Sequence, residues 1–115
     1  YVQEEKKDKD IRPVREVKTY LEENYHQEIS LNDLADIVSL NASYLSALFK
    51  KETGMTYTEY VMFCRLEKAK ELLADTGKSI AEIADAVGYH DTRHFSKLFT
   101  RNIGLKPSEY RKLYS

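Results

Sequence analysis

The chain says one thing twice. Residues 30–60 read SLNDLADIVSLNASYLSALFKKETGMTYTEY, and residues 79–110 read SIAEIADAVGYHDTRHFSKLFTRNIGLKPSEY. The copies stay in register at an offset of 49 as far as Ser39 and Gly88, and at 50 from Asn41 and Asp91. The second copy therefore carries one extra residue in its central turn. Identical pairs include Ala35/Ala84, Asp36/Asp85, Val38/Val87, Leu48/Leu98, Phe49/Phe99, Gly54/Gly104, Glu59/Glu109 and Tyr60/Tyr110. Each copy has the pattern of a short helix, a tight turn and a second helix, a unit that can lay its second helix in a DNA major groove. Two copies on one chain suggest two reading heads, where a single head needs a partner chain to read two half-sites. Two repeats are too few for a solenoid, so each copy must pack on something else.

Length bounds the answer to one compact domain, or two very small ones, within 115 residues. A hydrophobic content of 42% is enough for a real core and excludes a disordered tail. No apolar run approaches the ~18 residues of a membrane span, and the charged opening YVQEEKKDKD has no signal-peptide character. The lone Cys64 suits a reducing, cytoplasmic compartment and is expected as a small buried hydrophobe. Because the chain opens on Tyr1, it is expected to be cut from a longer protein with a part missing upstream.

Helical periodicity organises everything. Residues 1–10 read as a solvated linker. Helix 1 is expected over about 11–25, capped by Asp10, with Pro13 in its first turn and Val14, Val17, Leu21 and Tyr25 as its apolar stripe. Ser30 caps helix 2, which buries Leu31, Leu34, Ala35 and Val38. Helix 3 starts near Asn41, buries Leu45, Leu48 and Phe49, and stops at Gly54. A capping box, Thr56 to Glu59, opens helix 4, whose apolar side is Tyr60, Phe63, Leu66, Ala69, Leu72 and Leu73. A second box, Ser79 to Glu82, opens helix 5, with Ile80, Ile83, Ala84 and Val87 inward and Gly88 at the turn. Helix 6 follows from about Asp91 to Arg101 around Phe95, Leu98 and Phe99; Gly104 ends it. Pro107 begins helix 7, which carries Tyr110 and Leu113. No segment alternates like a strand. The expected fold is all-α, seven helices, with a first unit over 11–55, a linker helix over 56–76 and a second unit over 77–115. At ~1.5 Å per residue the linker helix spans ~28 Å, a suitable strut for two reading helices ~34 Å apart on one duplex face.

Charge points the same way. The net charge is only −1, but residues 87–115 hold six cations (Arg93, Lys97, Arg101, Lys106, Arg111, Lys112) against two acids, Asp91 and Glu109. Positive charge is thus gathered where a phosphate backbone could be met. Catalytic and cofactor signatures are missing: no phosphate loop, no dinucleotide fingerprint and no H-E-x-x-H. His26, His90 and His94 make no metal set with one cysteine, and no pair of carboxylates suggests catalysis. Neither an enzyme nor a cofactor protein is expected.

These motifs resemble the C-terminal DNA-binding domain of the AraC/XylS transcriptional regulators over about residues 11–114. The most specific stretch is Ile80-Ala-Glu-Ile-Ala-Asp-Ala-Val-Gly-Tyr, then Phe95-Ser-Lys-Leu-Phe, then Gly104-Leu-Lys-Pro-Ser-Glu-Tyr-Arg111. The first unit adds Leu34-Ala35, Tyr44-Leu45-Ser46 and Phe49-Lys-Lys-Glu-Thr-Gly54; the linker adds Arg65-Leu66, Ala69 and Leu72-Leu73. The resemblance implies two helix-turn-helix units joined by a long helix, with helices 3 and 6 entering successive major-groove segments of double-stranded DNA. It also implies an upstream sensory, dimerising or receiver domain; RNA polymerase is a further expected partner, with the acidic face of residues 11–86 meeting either the polymerase or that missing domain. Within the family the wording is most similar to domains attached to response-regulator receivers of Gram-positive bacteria.

On helix 6 the face opposite the core shows Thr92, Arg93, Ser96 and Lys97, with His94 nearby. Arg and Lys pair with guanine O6 and N7, and Ser and Thr bond several base edges. Matched to the family's motif, Arg93, Ser96 and Lys97 are the principal base contacts. Helix 3 offers Ser43, Ser46 and Ala47. Ala47 aligns with Lys97 and can touch a thymine methyl but cannot make a bidentate bond, so the first unit is expected to contribute phosphate contacts and shape reading through Asn41, Ser43, Ser46 and Lys50. Further backbone contacts are assigned to Thr56, Tyr57, His94, Arg101 and Ser108, of which Thr56, Tyr57 and Ser108 could instead serve as caps and packing. Arg65 reaches either a phosphate or an acid on a neighbouring helix. Asp36 and Asp85 read as structural or polymerase-facing groups. The competing function is a helical protein–protein module using the same surface; alone, the fragment is expected to be monomeric.

Overall fold

The structure, a computed structural model, describes the backbone of residues 2–115 and the side chains of residues 11–115. Seven α-helices and no strand occur among the described residues: α1 Val2–Asn24, α2 Leu31–Val38, α3 Ala42–Thr53, α4 Tyr57–Asp75, α5 Ile80–Ala86, α6 Thr92–Ile103 and α7 Pro107–Tyr114. The expected all-α, seven-helix fold is what forms. The chain divides into two compact units, Tyr1–Met62 and Phe63–Ser115, and the division falls inside α4.

In unit 1, α1 buries Val14, Val17 and Leu21 against Leu34 and Ala35 of α2 and Leu45, Leu48 and Phe49 of α3. Half-buried Tyr57, Tyr60 and Val61 from the start of α4 close this core. In unit 2 the fully enclosed groups are Leu66, Ala69 and Leu73 on one stripe of α4, Ile83, Ala84 and Val87 of the α5 segment, and Phe95 and Phe99 of α6. Each large apolar side chain taken out of water stabilises by roughly 1.5–3 kcal/mol.

The turns are built alike. After α2, the Ser39 N–H donates to the Asp36 carbonyl (3.3 Å) and the Leu40 N–H to Ala35 (3.0 Å); after α5, Gly88 donates to Asp85 (3.1 Å) and Tyr89 to Ala84 (2.8 Å). This paired pattern needs a left-handed residue at its centre, and both units supply one: Ser39 at φ 56° and Gly88 at φ 107°. Asn41 and Asp91 then cap the next helices with the same geometry, each carboxamide or carboxylate oxygen accepting at 2.9 and 3.2 Å from the two N–H groups beyond it. Between turn and cap, unit 1 has only Leu40 while unit 2 has Tyr89 and His90, so His90 is the extra residue. Its Nδ1 lies 3.0 Å from Asp85 Oδ1.

Helix starts follow the predicted capping boxes. Glu59 accepts from the Thr56 N–H and Glu82 from the Ser79 N–H, at 2.9 and 3.0 Å, while the hydroxyls of Thr56 and Ser79 accept in return at 3.1 Å. These bonds to Thr56 and Ser79 hold both carboxyls below their ordinary value, with Lys50 and Lys78 adding charge attraction.

Several expectations are corrected. Helix α1 begins at Val2 rather than near Ile11, so Asp10 is no cap and Pro13 lies inside the helix. Residues 2–10 are rich in Glu, Lys and Gln and lack Gly and Pro, so their backbone continues the helix; whether their side chains are solvated lies outside the described residues. Phe63, expected on the apolar side of α4, is 46% exposed, because the inward stripe there is Leu66, Ala69 and Leu73. Leu113 is 67% exposed: Tyr114, not Leu113, stacks on Tyr110 at 4.4 Å. Tyr44 and Tyr114 lie at the surface. Cys64 and Leu98 are only partly buried.

Arg111, counted above among the charges available to phosphate, turns inward instead. Its Nε donates to the Leu73 carbonyl (3.1 Å), and its Nη2 to those of Thr76 (3.2 Å) and Lys78 (2.6 Å). A cation thus satisfies the orphan carbonyls at the end of α4 and complements that helix's negative pole.

Three outcomes follow from this architecture. Ser39→Gly should stabilise the chain by ~0.5–1 kcal/mol in a denaturant titration, since glycine relieves the left-handed strain. Arg111→Ala should cost ~1.5–3 kcal/mol, with Arg111→Lys recovering only part, because one ammonium cannot reproduce the guanidinium fork. For the capping boxes the folded-state carboxyl values are depressed, so their contribution is present above the ordinary glutamate value of 4.5 and is lost as pH falls through the lower folded values. Stability measured against pH should therefore show an acid limb that is shallower in Ser79→Ala.

Candidate nucleic-acid interface

Helix α6 turns Phe95 and Phe99 fully inward, which fixes what faces out. Arg93, Lys97 and Arg101 are exposed at successive four-residue steps, with half-buried Thr92, Ser96 and Thr100 beside them. Like charges at that spacing repel along a helix. Among the described residues none of the three makes an ion pair, so the stripe is an unneutralised row suited to a polyanion. The expected reading residues Thr92, Arg93, Ser96 and Lys97 therefore share one face.

Beside this row lies a cleft of 580 Å³ between Ile80 at the start of α5, Ser96, Lys97, Thr100 and Arg101 of α6, and Lys106, Pro107 and Ser108 at the start of α7. It joins Ser96, Lys97, Arg101 and Ser108, which were expected at the interface, to Lys106 and Thr100, which were not. Lys106 was visible as one of the clustered cations; its position beside the first turn of α7 is what brings it to this rim. The Thr100 hydroxyl donates to the Ser96 carbonyl at 2.8 Å.

The corresponding face of unit 1 is poorer in charge. Ser43, Ala47 and Lys50 are exposed on α3 and Ser46 is half-buried. Lys50 Nζ donates to the Gly54 carbonyl at 3.1 Å and lies 3.8 Å from Glu59, so this cation is already engaged at the end of its own helix. The Asn41 side chain is occupied as the α3 cap. The Thr56 hydroxyl belongs to the α4 capping box and Tyr57 packs on the unit 1 core. Tyr44 is 51% exposed on α3.

Arg65 sits half-buried on α4. Its guanidinium lies over the ring of Tyr89, 4.9 Å from the centroid. Burial pushes the Tyr89 hydroxyl above its ordinary value, and the charge of Arg65 partly opposes this. His94 is exposed and sets its ring edge-on to Tyr89 at 5.8 Å.

No helix among the described residues is long and apolar enough to cross a membrane. A helix-turn-helix domain family matches residues 34–113. The chain is 36% identical over 94 residues to the melibiose operon regulatory protein of Escherichia coli (strain K12), covering 82% of this chain and 31% of that protein. It thus spans about a third of the length of the curated relatives it matches. Among solved structures it is similar to the C-terminal domain of AraT, a response regulator from Geobacillus stearothermophilus (33% identity, TM-score 0.82, covering 88% of this chain and 84% of that one). It is also similar to a transcriptional regulator with an AraC-type DNA-binding domain from Chromobacterium violaceum (30% identity, TM-score 0.85, covering 90% and 93%). With two helix-turn-helix units, this order of helices and these relatives, the chain belongs to the AraC-type family of helix-turn-helix DNA-binding domains.

Proposed function

We propose that this domain reads double-stranded DNA for a transcriptional regulator, with α6 as the principal base-reading helix and α3 as the weaker one. The observation that carries this ranking is the unpaired row of Arg93, Lys97 and Arg101 on α6, whose counterparts on α3 are Ser43, Ala47 and Lys51, a single cation at the end of that helix beside the already engaged Lys50. Arg93 and Lys97 supply the donors that guanine O6 and N7 accept, and Thr92 and Ser96 the hydroxyls that complete the face. Arg101, Lys106 and Ser108 around the cleft take the adjacent phosphates. Ser43, Ser46 and Ala47 give α3 short contacts and shape reading rather than bidentate pairs.

RNA polymerase, or the sensory or receiver domain of the same protein, is the proposed second partner. The outer face of α2, with exposed Asp33, Asp36 and Ile37, supports such a contact. The domain is proposed to act as a monomer when alone, in the cytoplasm.

Selection of bound duplexes from a random library, followed by a salt titration of the winner, tests the reading. A block of specified bases under α6 with a steep salt slope is expected; no enrichment and salt-insensitive binding would point to a protein-binding module instead. Arg93→Ala and Lys97→Ala should each cost ~1–3 kcal/mol and relax base choice, whereas Ser46→Ala should cost less. Equal losses from all three would overturn the ranking of the two helices.

A further inference from the structure

Unit 2 contains an aromatic series that runs from its turn to α7. Tyr89 in the turn meets Phe95 at 5.9 Å, Phe95 meets Phe99 at 5.8 Å, Phe99 meets Tyr110 at 5.7 Å, and Tyr110 stacks on Tyr114 at 4.4 Å. Tyr89 is its head, and it is gripped from several directions. Its N–H closes the turn on the Ala84 carbonyl. Its ring touches His94 and Phe95 in the first turn of α6. The Arg65 guanidinium from α4 covers it at 4.9 Å. At the same offset of 49, unit 1 has Leu40, which offers no aromatic face.

We propose that Arg65 and Tyr89 are positioning residues of the reading head: the guanidinium stacked on the ring fixes the start of α6, and so the angle at which Arg93 and its neighbours meet the bases. The inference rests on the DNA-reading function proposed above. His94 and Phe95 directly follow Arg93, and Tyr89 packs against both. The extra residue His90 lengthens the connection between turn and cap, and a longer connection needs an added restraint to hold one geometry. Bidentate base contacts demand that restraint, because hydrogen bonds weaken steeply once misaligned. A planar guanidinium suits a ring face better than an ammonium. Arg65 therefore acts through Tyr89 and makes no phosphate contact.

The test uses the whole chain and the duplex chosen by library selection. Arg65→Met, Arg65→Lys, Tyr89→Leu and Tyr89→Phe are compared for affinity on that duplex and on single-base changes under α6, from about 50 to 200 mM salt. Arg65→Met and Tyr89→Leu should each lower base discrimination roughly tenfold, while Arg65→Lys and Tyr89→Phe, which keeps the ring but loses the hydrogen bond between Arg65 and the Tyr89 hydroxyl, should fall between. Their salt slopes should match that of the unmodified chain, and the double variant should be no worse than either single one. A slope reduced by about one in Arg65→Met, with discrimination intact, would instead make Arg65 a phosphate contact and overturn the proposal. So would full discrimination in Tyr89→Leu. Should Tyr89→Leu not fold, Arg65→Met, which removes a cation from a half-buried position, decides the matter. Failure of the unmodified chain to select any sequence would defeat the DNA-reading function itself, before any variant is made.

Discussion

An edge-to-face contact between a phenylalanine and a tyrosine, repeated at equivalent positions of the two units, is what the rest of the structure depends on. Phe49 meets Tyr60 and Phe99 meets Tyr110, both at 5.7 Å between centroids. In each case a fully buried phenylalanine from the second helix of the motif packs on a tyrosine from the helix that follows. The contact joins the reading helix to something outside its own helix-turn-helix, which a two-helix motif with one apolar face requires. It also fixes rotation: once Phe49 or Phe99 points inward, the outward residues of α3 and α6 are determined by helical geometry alone. The outward chemistry is then free to differ between the units while the inward chemistry repeats.

That division explains which parts were legible in the sequence. Helix order, the capping boxes and the left-handed glycines are local, carried by residues within a few positions of each other, and all read correctly. Even the duplicated turn was readable, because Ser39 stands where Gly88 stands. What was not legible depends on partners distant in sequence. Nothing near Arg111 announces that its guanidinium reaches carbonyls more than thirty residues upstream, and nothing near Arg65 announces Tyr89. Pro13 misled for another reason. Proline is comfortable in a first turn, so it suggested a helix start, whereas the residues before it have enough helix propensity to carry α1 back to Val2.

The site was legible in its residue types and less so in their availability. Arg93 and Lys97 project as their spacing predicts. Lys50, Asn41 and Thr56, equally polar and equally well spaced, are engaged in local bonds at helix ends. A sequence lists donors; it does not say which are already satisfied. Unsatisfied charge is the more telling feature, and α6 carries three such cations, Arg93, Lys97 and Arg101.

The row of Arg93, Lys97 and Arg101 also resolves the puzzle of a DNA-binding chain with a net charge of −1. Phosphate attraction falls off over about 10 Å at ordinary salt, so the local field at α6 matters more than the total. Acids elsewhere on the chain lie on faces that need not approach the duplex, and they limit indiscriminate attraction to any polyanion. A head of this kind gains from being held rigid, since a few contacts must all be made at once. In unit 2 the aromatic series running from Tyr89 to Tyr114, with Arg65 over the Tyr89 ring, ties the turn, α6 and α7 together, where unit 1 has Leu40 in place of Tyr89.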